Sequence, residues 1–126
     1  MVLRFINEQM DFLAIPYEFG EWTSDVKYPY VVGEMTETEP DTEDGKEQYE
    51  FILTVWHRAS ENPYMSIEEI KNKIKKHFHQ THGKRSQIGD TVIVGFYGGA
   101  FYVPTGEADL KKLQINLTIK QWKGEL

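Results

Sequence analysis

Apolar residues recur along this chain in two rhythms. In residues 2–13 (VLRFINEQMDFL), Leu3, Ile6, Met10 and Leu13 stand three and four apart, the spacing of one face of an amphipathic helix. Pro16 and Gly20 are expected to end it. Residues 66–79 (SIEEIKNKIKKHFH) repeat the rhythm with Ile67, Ile70, Ile74 and Phe78 on one face. Ser66 followed three residues later by Glu69 reads as a capping box. Lysines fill the remaining faces and the last turns, where cations suit the helix dipole. Gly83 is expected to stop this helix.

The second rhythm has a period of two. In residues 49–58 (YEFILTVWHR), Tyr49, Phe51, Leu53 and Val55 point one way, and Glu50, Thr54 and Arg58 the other. Ile52 and Trp56 share that second face, so it is at least partly covered. Residues 113–122 alternate more cleanly. Leu113, Ile115, Leu117 and Ile119 face in, whereas Gln114, Asn116, Thr118 and Lys120 face out. Residues 17–22 and 28–39 also read as strands. Residues 91–97 and 100–104, around Gly98-Gly99, read as a second hairpin or one bent strand. Asp44-Gly45 is a strong turn signal, so residues 28–58 form one long hairpin with a loose tip. The predicted order is α-β-β-β-α-β-β-β. Two helices cannot cover both faces of a parallel sheet. The expected fold class is therefore α+β: a single, mostly antiparallel β-sheet with a long acidic hairpin and two helices packed on one side.

Length and charge narrow the classes. The 126 residues suit a single domain spanning residues 1–126. With 40% hydrophobic and 13% aromatic residues the chain is too apolar to be disordered. The absence of cysteine excludes disulfides, thiolate metal sites and a cysteine nucleophile. A formal net charge of −6 removes a domain-wide basic footprint for nucleic acid. Arg4, Glu8 and Asp11 interrupt any signal-peptide core, and the longest uncharged run is shorter than a spanning helix needs. A cytoplasmic protein without membrane contact is expected.

The charges are unevenly spread. Eight carboxylates stand against Lys46 between Glu34 and Glu50; Glu37, Glu39, Asp41, Glu43 and Asp44 make up its centre. That stretch reads as a docking arm for a basic partner or a negative wall, against the plainer reading of a solvated tip that protects strand edges. It lacks the ligand spacing of a calcium loop. Residues 66–87 have the opposite sign, with Lys71, Lys75, Lys76 and Arg85 as candidate contacts. One chain with an acidic arm and a basic helix suits head-to-tail self-association, which closes into rings. Glu107 and Asp109, in the 104–110 turn (PTGEADL), are further candidate contacts, against a reading as turn and capping chemistry.

Catalytic patterns are weak. His77, His79 and His82 give H-x-H-x-x-H, which resembles the H-x-H-x-D-H motif of the metallo-β-lactamase class. Thr81 replaces the aspartate, no histidine follows His82, and residues 77 and 79 of one helix point to different sides. No metal is expected there. His57 ends the apolar face of its strand and reads as a core-margin histidine. Gly83-Lys84-Arg85-Ser86 lacks the first glycine of a phosphate loop, which would fall at Phe78. No enzyme activity and no cofactor are expected.

Three segments together resemble a known family. Residues 28–34 (YPYVVGE), the acidic hairpin with Glu43-Asp44-Gly45, and residues 104–111 (PTGEADLK) running into 114–120 (QINLTIK) are similar to small tail proteins of long-tailed bacteriophages and prophages. Tail-terminator, or tail-completion, proteins are the nearest group, and the resemblance runs in order over about residues 15–122. It implies a homo-hexameric ring that caps the tail tube at its head-proximal end and ends tube polymerisation. Such a ring docks on the head connector, and DNA passes through its hole without specific binding. The implied partners are further copies of the chain, the tail tube protein and the head-completion or connector protein. The implied locations are the host cytoplasm during assembly and the virion tail. A neighbouring head–tail connector, a minor tail component and a generic cytoplasmic binding module are the alternatives. The family supplies no catalytic residues.

Overall fold

The computed structural model describes residues 1–37 and 46–123; the expected turn at Asp44-Gly45 lies outside them. The chain forms α1 (Val2–Phe12), β1 (Tyr17–Phe19), β2 (Tyr30–Glu37), β3 (Lys46–Arg58), α2 (Met65–Phe78), β4 (Lys84–Ile88), β5 (Thr91–Val103) and β6 (Leu110–Lys123). The six strands make one sheet in the order β1-β2-β3-β6-β5-β4. Only β1 with β2 is parallel; the other four pairings are antiparallel. The α+β class with two helices on one side of a mostly antiparallel sheet is the observed architecture.

The central pair is β3 with β6, in register from Lys46 opposite Trp122 to Arg58 opposite Leu110. One face carries Phe51, Leu53 and Val55 beside Leu113, Ile115, Leu117 and Ile119, all buried. Both helices cover that face. Val2, Phe5, Ile6 and Met10 of α1, and Ile67, Ile70, Ile74 and Phe78 of α2, join one core cluster with it. Each such side chain contributes about 1.5–3 kcal/mol by leaving water. Among the described residues no helix covers the other face. There Ile52 and Trp56 are half-buried, and Tyr30 stacks on Trp56 with centroids 6.4 Å apart.

Several expectations need correction. Leu3 is 39% exposed, because the buried stripe of α1 runs through Val2, Phe5, Ile6, Gln9 and Met10, and Leu3 stands about 100° round the helix from Val2. Ala14, with φ 57°, ends α1 before Pro16 is reached. Its N–H donates to Asp11 O and the Ile15 N–H to Met10 O, the paired bonds of a Schellman stop. Ser66 does not cap α2. The helix starts one residue earlier, after Tyr64, and its N-cap residue makes no side-chain bond. It ends at His79, with φ 53°, rather than at Gly83.

Residues 91–103 form a single bent strand. The register of β5 on β6 shifts between Tyr97 and Ala100, and Gly99 there has φ 116°, a conformation that favours glycine. The sequence reading missed β4 altogether. Lys84–Ile88 shows no apolar alternation, because an edge strand half-buries only Lys84, Ser86 and Ile88. What makes it a strand is the two-residue Gly89-Asp90 loop to β5, with φ 61° at Gly89, the glycine-first hairpin turn.

Phe78 lies over Gly95 of β5, where an added Cβ would come within 2.9 Å of its ring, and its ring meets Phe5 edge-on at 6.3 Å. Replacing Phe78 by alanine is expected to cost about 3–5 kcal/mol. Gly95→Ala is expected to cost about 1–3 kcal/mol through overpacking. Urea unfolding of the two variants checks both, and wild-type midpoints would refute this account of the core.

Candidate functional site

The candidate contact residues fall on different surfaces. Glu37 is the last residue of β2, and Glu39, Asp41, Glu43 and Asp44 lie outside the described residues. The base of the acidic hairpin is described. Glu47 accepts a 2.6 Å bond from the Tyr49 hydroxyl, and Glu50 accepts from Gln48 and from Thr118 of β6. Glu34 is exposed.

The basic helix is only partly available. Lys71 is paired with Glu68, which also accepts a 3.1 Å bond from the Tyr102 hydroxyl. Those contacts, Lys71 foremost, hold the Glu68 carboxyl below its ordinary pKa. The Lys75 ammonium stands 5.8 Å from the Tyr97 ring. Lys76 is exposed beside Leu13, Lys73 and His77 at a shallow depression. The structure does not bring Arg85 to this helix. On β4 it alternates with the half-buried Lys84 and Ser86, so it projects on the helix-free face of the sheet.

Glu107 and Asp109 both close on Arg58. The Arg58 Nη1 lies 3.0 Å from each Asp109 carboxylate oxygen, and its Nη2 lies 3.0 Å from Glu107 Oε2. Hydrogen bonding to Tyr28 first, then to Asp109 and Glu107, raises the guanidinium pKa above its ordinary value. The turn also closes internally. The Thr105 hydroxyl lies 2.7 Å from Leu110 O and accepts from the Glu107 N–H. Sequence reasoning assigned no role to Arg58. Its partners are about fifty residues away, and only the β3–β6 register sets Arg58 opposite Leu110.

The three histidines do not converge. His77 Nε2 lies 2.6 Å from Oε1 of Gln9, a buried residue of α1, and the ring tilts against Phe12. His79 Nδ1 instead accepts backbone bonds from Thr81 and His82, so that nitrogen is occupied within its own turn. Among the described residues no group of three His, Cys, Asp or Glu side chains could hold a metal ion. His57 sits half-buried at the core margin; its Nδ1 is buried with no hydrogen-bond partner among the described residues, and Tyr28 meets the ring edge-on. Two open depressions of about 370 and 380 Å³ lie among the described residues. One lies between Tyr64, Tyr102, Thr105 and Lys111, where Tyr64 packs edge-on against Tyr102 and Lys111 stands 5.2 Å over Tyr64. Among the described residues no helix is long and apolar enough to cross a membrane.

No protein-family model matches the chain, and no curated protein matches it.

Two outcomes follow from these contacts. Arg58→Ala is expected to lower stability only slightly, because its pairs are solvated, and to speed amide exchange in residues 107–110. Unchanged exchange there would refute the clamp. Burial first, and then the Lys84 charge, lower the His77 pKa below 6.5. Its contribution to stability is therefore complete above about pH 6.5 and is lost as pH falls through the lowered value. An NMR titration midpoint for His77 at or above 6.5 would contradict this.

Proposed function

We propose that this chain is a structural protein of bacteriophage or prophage tails. It caps the tail tube at the head-proximal end, ends tube polymerisation and offers the docking surface for the head connector. The observation that carries it is the separation of charge between the two flanks of one sheet. The exposed Glu34 stands on β2, towards one edge. Lys84 and the exposed Arg85 stand on β4, the opposite edge. A subunit with unlike surfaces joins the next copy head to tail, and such contacts close into rings.

The segments that resemble tail terminators occupy connected positions. Residues 28–34 lead into β2, residues 104–111 form the Arg58-clamped turn, and residues 114–120 are the centre of β6. An acidic lumen suits DNA passage, since like charge keeps the polymer from adhering. The partners in this role are further copies, the tail tube protein and the connector protein. The locations are the host cytoplasm and then the virion tail. The role needs no catalysis and no cofactor.

Light scattering behind size exclusion tests it. The expected mass is about six times the 14.7 kDa of the chain, falling as salt screens the charges beyond about 10 Å. Charge reversal at Glu37, Glu39 and Asp41 is expected to hinder assembly without unfolding the subunit. A chain that stays monomeric and also fails to bind tail tubes would overturn the proposal.

A further inference from the structure

The sheet has two open edges of opposite charge. On one side β1 covers β2 only over Val31–Gly33. The Val31 N–H donates to Pro16 O, and Gly33 O accepts from the Gly20 N–H, so these residues turn their backbone groups outward. The period of two sets the backbone groups of Met35 and Glu37 outward as well. Among the described residues no backbone bond reaches them. On the other side β4 pairs only with β5. Its two-residue loop closes on the Ile88–Thr91 pair, which exchanges its bonds within the hairpin, so Arg85 and Gln87 turn their backbone groups outward. Unpaired edges of this kind template pairing with another chain.

The geometry points to β4 of one copy adding to the free half of β2 in the next, as a parallel strand, with a second copy of this chain as the partner. The contact rests on the self-association proposed above. Direction comes from the sheet itself. Through three antiparallel steps and one more at the edge, β2, β6 and β4 run the same way, and β3 and β5 the opposite way. A neighbour continuing the sheet therefore brings β4 parallel to β2.

Register follows from the outward groups. In a parallel pair, a residue with outward groups sits beside one whose groups turn away. Arg85 then lies beside Glu34, and Gln87 beside Thr36. Gly33 O stays with the Gly20 N–H, and the new bonds begin where the Met35 N–H reaches Arg85 O. The Gln87 N–H reaches Met35 O and the Glu37 N–H reaches Gln87 O. In this register the Arg85 and Glu34 side chains share the helix-free face on strands about 4.8 Å apart. Both are exposed, and neither has an ion-pair partner among the described residues. The four residues 34–37 past β1 match the four residues 85–88 of β4 in length. Joining two β2 edges instead would bring Glu34 near the same carboxylate of the other copy, and like charges across strands destabilise.

Four variants test the contact by light scattering over a range of concentration, with circular dichroism and melting as checks on folding. Wild type is expected to associate. R85E and E34R are each expected to weaken association about tenfold or more, and the R85E/E34R double variant to return to within about threefold of wild type. Gln87→Pro removes one outward N–H at an edge position that tolerates proline, so it should fold and yet remain monomeric. Wild-type association by R85E, E34R and a folded Gln87→Pro would overturn the edge contact while leaving a ring formed through other surfaces. A wild-type chain that is monomeric at every concentration would also overturn it, whereas capping of tail tubes by that monomer would leave the terminator role standing.

Discussion

The pairing of β3 with β6 is the constraint on which the rest of the molecule depends. It joins strands more than fifty residues apart in sequence, and its register sets every side chain on both to one face or the other. A slip by one residue would turn Phe51, Leu53 and Val55 away from the helices together with their neighbours on β6. The same register brings Arg58 to Asp109 and Glu107, so the 104–110 turn is held by a consequence of core packing. It also puts β1–β2 and β5–β4 on opposite flanks, which leaves one acidic and one basic edge.

The helices respond to that face. α2 settles where Gly95 leaves room for the Phe78 ring, and Phe78 in turn supports Phe5 of α1. Between the helices the buried Gln9 finds His77, which satisfies a polar group inside an apolar stripe. A histidine that looked like one member of a metal motif is thereby a bridge between α1 and α2.

The elements most legible in the sequence were those whose burial is one-sided and complete. Ile67, Ile70, Ile74 and Phe78, and the alternation from Leu113 to Ile119, lie in the structure as their spacing predicts. The Leu3 error came from a neighbouring stripe of equal spacing, which only the bulk of Phe5 at the core decides. β4 was hidden because an edge strand buries too little to leave a pattern, and its signal was the glycine turn after it. Arg85 was read as part of a basic helix surface because sequence proximity does not show which face of a sheet a residue takes. Glu107 and Asp109 stood out by charge, but their partner could be known only from the strand register.

The shared direction of β2 and β4 gives the subunit an arrow. In a ring of the proposed kind, copies joined through those edges would all point the same way round, and no operation would exchange its top for its bottom. One rim would collect the Arg58-clamped turns and the starts of α2; the other would collect the ends of β2 and the starts of β3. Two unlike rims are what a part needs if it is to sit between two different structures, and strand polarity alone would supply them, with no second kind of subunit.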